Sequence, residues 1–123
     1  GIVPSWGATQ RLPQLIGRTR ALELLLTGRA LTVQEAERYG LINRVVPAAE
    51  LQEAALTFAQ RLAAAAPLAM KAILEDVETG LTKGLAKGSD LERENAYWVS
   101  KTEDARIGIH AFLTKQKPEF KGR

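Results

Sequence analysis

The chain has 123 residues, of which 46% are hydrophobic and 25% charged, a balance that suits one small domain with a core and excludes a disordered tail. Its formal charge of +3 and pI near 9.5 are mildly basic, but no RNA-binding motif and no interleaving of aromatic with basic residues points to nucleic acid. Zero cysteines exclude a disulfide framework, thiolate zinc sites and thiol catalysis, and suit a reducing compartment, with the cytoplasm as the default expectation.

The first twelve residues run from an apolar lead-in through Pro4, Ser5 and Trp6 into Gly7-Ala8-Thr9, where a helix opens. Gly7 permits backbone dihedrals or a close approach that a side chain forbids. The first N–H groups of the helix have no partners inside it, so the turn either faces a carbonyl, a carboxylate or a bound water, or is simply a turn. No initiator Met precedes Gly1, and a start inside an apolar segment is expected of a fragment or of a processed chain.

The pattern is then helical almost throughout. Thr9 to Ile16 reads as a helix with Pro13 in its first turn or two and Gly17 as a left-handed cap. Arg18 to Thr27 carries Leu22, Leu24, Leu25 and Leu26, which predicts burial on most sides, and Gly28 stops it. Thr32-Val33-Gln34-Glu35 is a capping box for a two-turn helix that Gly40 closes. Leu41 to Val46 alone has strand character. One strand makes no sheet, so it pairs with a strand outside this chain or is merely extended.

Glu50 to Ala65 is amphipathic, with Leu51, Ala55, Phe58 and Leu62 on one face. Pro67 suits the first position of a helix that Gly80 is expected to end near Glu78. The next helix, Thr82 to Val99, contains Gly84 and Gly88, each costing about 1 kcal/mol against Ala, and needs outside contacts. Ser100-Lys101-Thr102-Glu103 reads as a second capping box, opening a helix to about Lys115 in which Ala105, Ile109, Phe112 and Leu113 share a face. Pro118 and Gly122 mark a loose tail, where Lys115, Lys117, Lys121 and Arg123 gather as an anion-site candidate. No apolar run is long enough to span a bilayer, and no signal peptide is evident.

Chemistry-bearing motifs are scarce. There is no Gly-x-Gly-x-x-Gly, phosphate loop or His-Glu-x-x-His. His110 is the only histidine and has no second ligand at a metal-binding spacing. Glu35 and Glu103 read as caps, and Glu53, Glu92 and Glu94 as solvated helix faces. The sequence therefore assigns no catalytic residue and no metal.

Four segments nevertheless stand in a telling order: Pro4-x-x-Gly7-Ala8-Thr9-Gln10-Arg11-Leu12-Pro13, then Leu24 to Arg29, then Glu35 to Pro47, then Ala111 to Gly122. Together they resemble the C-terminal part of the crotonase superfamily, the enoyl-CoA hydratase/isomerase family, across the whole chain. The resemblance implies a mainly α fold in which residues 1–47 are the C-terminal end of a ClpP/crotonase-like ββα spiral and residues 48–123 a helical trimerisation and lid region. It also implies an N-terminal core as partner and a homotrimer or dimer of trimers. The implied activity is hydration of 2-enoyl-CoA thioesters in fatty-acid or related acyl-CoA metabolism, with coenzyme A carried by the substrate and no separate cofactor. Isomerase, hydrolase and decarboxylase relatives share this region, and a non-catalytic helical oligomerisation module is the alternative of a different class.

By the same resemblance, the oxyanion hole and the two glutamates that handle water lie upstream of Gly1, so the chain alone is expected to be inactive. What the resemblance does place here is a rim. Ser5, Trp6 and Gly7 match the family's small-residue turn beside the acyl carbons, where Trp6 either narrows the acyl pocket or packs on the next helix. Phe112 and Lys115 match positions that meet the CoA nucleotide, sometimes that of a neighbouring subunit. An aromatic face suits adenine and an ammonium the ribose phosphate; otherwise Phe112 is core and Lys115 solvated.

Overall fold

The computed structural model describes residues 1–123 as seven α-helices with no strand, the mainly α fold expected. They fall into two compact units, Gly1–Gln52 and Glu53–Arg123.

In the first unit, α1 (Ala8–Ile16) and α2 (Arg18–Thr27) pack on each other, and each contributes one buried residue, Ile16 and Ala21. Pro13 sits in the second turn of α1, as expected. Gly17 is not a left-handed helical cap. Its φ of 81° with ψ of 155° is a combination essentially reserved for glycine, and it joins the two helices without a loop. Nor is α2 buried on most sides: only Ala21 is, and Leu26 is 81% exposed, because its leucines point to several sides of the helix while α1 packs on one.

The short helix α3 (Val33–Arg38) has the predicted capping box. The Thr32 hydroxyl accepts the Glu35 N–H and the Glu35 carboxylate accepts the Thr32 N–H, satisfying two donors that a helix start leaves open. After Gly40, Leu41 to Val46 forms no strand. Nor is it simply extended: the backbone bends at Leu41 to Asn43 and is irregular beyond, with the Leu41 N–H donating to the Ala36 carbonyl and the Val45 N–H to the Glu37 carboxylate at 2.9 Å.

A single 3-10 turn, Ala48–Glu50, leads into α4 (Leu51–Ala63). The apolar face of α4 exists in the pattern, but none of its residues is buried. Pro67 opens α5 (Pro67–Lys83) as predicted. Gly80 does not end it; the helix continues to Lys83, and Gly84, at φ 90°, turns the chain into α6 (Leu85–Val99). The reason is packing. Gly80 and Gly88 mark where the two helices touch, for a Cβ on Gly88 would stand 2.7 Å from the Gly80 Cα. Nearby, Asn95 is only 6% exposed; its amide donates to Asp76 Oδ1 at 2.7 Å and its carbonyl accepts from Trp98 Nε1 at 2.7 Å, so both ends of the buried amide are satisfied.

Helix α7 (Glu103–Thr114) is capped by Thr102, not Ser100: the Thr102 hydroxyl accepts the Ala105 N–H at 3.1 Å, while the Ser100 hydroxyl donates to the Tyr97 carbonyl. Of the predicted face, Ile109, Phe112 and Leu113 are exposed, and the buried residues of α7 are Asp104 and Ala111. The tail is not loose. Although irregular, it is tied back to Asp104 by three backbone groups: the Lys121 and Gly122 N–H groups donate to its buried carboxylate, and its own N–H donates to the Arg123 carbonyl.

Candidate functional site

The turn before α1 is built from two consecutive left-handed residues, Trp6 at φ 60° and Gly7 at φ 79°. Glycine adopts this region freely, but a tryptophan there is strained. Arg11 holds the turn: its guanidinium donates to the Trp6 carbonyl and lies close against Gly7, where a Cβ would come within 2.9 Å of Nη1. The Gly7 carbonyl accepts the N–H groups of both Gln10 and Arg11, and Ala8 donates to the Ser5 carbonyl at 3.2 Å. The N–H groups of Trp6, Gly7 and Thr9 have no partner within the chain.

Trp6 does not pack on α1. It is 90% exposed, so that reading of the residue is set aside. Arg11 is the residue sequence reading missed. Its signal was present, an arginine four residues past a turn glycine, where a helical side chain reaches back toward the preceding turn.

Phe112 lies in the last turn of α7, and Lys115 is the residue that caps it. Phe112 is 84% exposed and lies outside the core that this chain forms by itself. Lys115 closes the helix in the left-handed region, φ 55° and ψ 34°, a position that glycine usually fills. Its N–H reaches the Phe112 carbonyl at 3.4 Å, and the Gln116 N–H reaches the Ala111 carbonyl at 2.9 Å, which satisfies carbonyls the helix end leaves open. Ser5, Trp6 and Gly7 belong to the first unit, Phe112 and Lys115 to the second.

Elsewhere the charged groups do structural work. Arg29 bridges Glu23 at 2.7 Å and Glu35 at 3.3 Å, and both contacts, that to Glu23 first, favour its charged form. The Thr32 N–H, then Arg29, then the Thr32 hydroxyl hold the Glu35 carboxyl below its usual range, as suits a cap. His110 is exposed. No group of three metal-capable side chains converges anywhere in the chain, and no helix is long and apolar enough to cross a membrane.

The family model described as enoyl-CoA hydratase/isomerase matches residues 1–123. The chain belongs to that family. Among the family's curated members, a 2,3-dehydroadipyl-CoA hydratase of Escherichia coli is 37% identical over 100% of this chain and 48% of its own length. A mitochondrial enoyl-CoA hydratase of Pongo abelii is 34% identical over 98% of this chain and 42% of its own. The solved enoyl-CoA hydratase of Bacillus anthracis superposes with a TM-score of 0.92 at 40% identity, covering 100% of this chain and 48% of that one. The chain thus spans about half the length of the family members it matches, and its all-helical architecture agrees with the helical region of the family fold.

Proposed function

We propose that residues 1–123 are the C-terminal part of an enoyl-CoA hydratase, which adds water across the double bond of a 2-enoyl-CoA thioester. The observation that carries this reading is the similarity along the entire chain to proteins named as hydratases, combined with a span of about half their length. On this reading the oxyanion hole and both glutamates lie before Gly1, and this part supplies the rim. The left-handed Trp6-Gly7 turn, held by Arg11, presents unpartnered N–H groups and an exposed indole toward the acyl end. At the last turn of α7, the Phe112 ring stacks on adenine and the Lys115 ammonium meets the ribose phosphate.

The exposed apolar side chains of α4, α5 and α7, among them Phe58, Ile73 and Ile109, fit burial against an N-terminal core and neighbouring copies in a trimer or dimer of trimers. Cytoplasmic fatty-acid or related acyl-CoA metabolism is the setting we assign. The same exposed faces favour a second reading, a helical assembly module without catalysis. Crotonyl-CoA hydration, followed by loss of enoyl-thioester absorbance, separates the two. The hydratase reading expects turnover by the protein that carries this chain behind its N-terminal core and none by residues 1–123 alone. Turnover by residues 1–123 alone would overturn the placement of the chemistry upstream, and self-association without any CoA affinity would favour the assembly module.

A further inference from the structure

The residues after α7 double back along it. Asp104, in the first turn of α7, accepts the Lys121 N–H at 2.5 Å on one carboxylate oxygen and the Gly122 N–H at 2.9 Å on the other, while its own N–H donates to the Arg123 carbonyl at 3.1 Å. Asp104 is 2% exposed. A buried carboxylate is tolerated only when its oxygens are hydrogen-bonded, and these two backbone groups are its partners. Between the ends of this strap, the Phe120 ring lies 3.5 Å from where a Cβ on Gly108 would stand. Outside it, Arg123 pairs with Glu103 at 2.7 Å. The strap in turn walls a cavity of about 590 Å³ whose other side is formed by Leu62, Pro67 and Met70.

The near end of the strap begins at Lys115, whose left-handed backbone reverses the chain. A lysine pays about 1 kcal/mol or more to sit there, and such a conformation persists only where the surroundings over-determine it. Helix α7 fixes one side of Lys115. On the other side the chain runs through Gln116 to Pro118 into the strap clamped at Asp104.

We propose that Asp104 is a positioning residue for the nucleotide-binding end of α7: by locking the strap it keeps Lys115 in its left-handed turn and so sets where the Lys115 ammonium stands relative to the Phe112 ring. The inference rests on the reading of Phe112 and Lys115 given above, and assigns a role to a residue that touches neither. It does so through the backbone, since the carboxylate engages only strap N–H groups.

The test uses the full protein that carries this chain. kcat/KM is measured for a short 2-enoyl-CoA and for the matching 2-enoyl-pantetheine thioester, which lacks the nucleotide, in wild type, Asp104→Ala, Asp104→Asn, Lys115→Ala and the Asp104→Ala/Lys115→Ala double variant. The preference for the CoA substrate is expected to fall about fivefold or more in Asp104→Ala, mainly through KM, with a smaller fall in Asp104→Asn, which keeps one acceptor oxygen. The double variant is expected to discriminate no worse than Lys115→Ala. Equal losses on both substrates in the Asp104 variants, with the preference unchanged, would make Asp104 a purely structural clamp and overturn the positioning role alone. An unchanged preference in Lys115→Ala would overturn the nucleotide reading and the inference with it. Should Asp104→Ala not fold, the same preference ratio in Asp104→Asn decides.

Discussion

The α5–α6 hairpin and the C-terminal strap both bring distant backbone segments together, by opposite means. At the hairpin, side chains are removed: Gly80 and Gly88 let two helices touch, and the polar trio Asp76, Asn95 and Trp98 sits beside them. At the strap, one side chain is added: the Asp104 carboxylate gathers the N–H groups of an irregular segment that has no ladder of its own. The first contact is steric and tolerates no added atom at Gly88; the second is electrostatic and tolerates no missing carboxylate at Asp104. The two should therefore fail under different substitutions.

The largest expected effect is at the hairpin. Gly88→Ala places a methyl 2.7 Å from the Gly80 Cα and 3.0 Å from its nitrogen, backbone atoms that cannot yield without separating the helices, and should cost on the order of 1–3 kcal/mol in urea unfolding. Gly80→Ala is the control. Its Cβ meets nothing nearer than 4.0 Å, so the helix-propensity gain of up to about 1 kcal/mol should survive. Equal penalties at the two positions would refute the asymmetric contact.

At the strap, Asp104→Ala leaves two backbone donors without partners and should cost about 2 kcal/mol, with faster tryptic cleavage after Lys115 and Lys121. Unchanged cleavage would mean that the strap is held by other contacts. Lys115→Gly tests the same region with the opposite sign. Removing the Cβ from a left-handed position should raise stability by up to about 1 kcal/mol, while weakening affinity for CoA. A loss of stability would show that the lysine is not strained there.

The smallest effect concerns a second carboxylate, the half-buried Glu35, which caps a helix where Asp104 clamps a strap. Because its pKa is lowered in the folded protein, its contribution is fully present above the ordinary glutamate value of about 4.3 and is lost as pH falls through the lowered value. Proton titration followed by NMR should find Glu35 below that ordinary value, and Arg29→Gln should move it part of the way back. No movement would leave Thr32, through its N–H and its hydroxyl, as the whole cause.

These contrasts also explain what the sequence made legible. Local devices were readable: the Thr32–Glu35 box, Gly28 as a stop, Pro67 as a first helical residue and the bounds of α2 each depend on residues within a turn of one another. Gly80 was misread because a glycine that ends a helix and one that admits a neighbouring helix look alike locally; only the distant Gly88 tells them apart. The strap was misread for the same reason, since Asp104 meets partners 17 and 18 residues away. At the candidate site, the local pattern marked Ser5-Trp6-Gly7 only as a turn into a helix, and the family resemblance marked that turn, Phe112 and Lys115 as site residues. The left-handed backbones of Trp6 and Lys115 were not readable, because neither residue type announces that region.

The proposed activity is tested most directly by giving crotonyl-CoA to the full protein that carries this chain and following its hydration with and without the Lys115→Ala change. The account predicts turnover in the wild type and a raised KM in the variant. No turnover and no measurable affinity for a CoA thioester in the wild-type protein would contradict it.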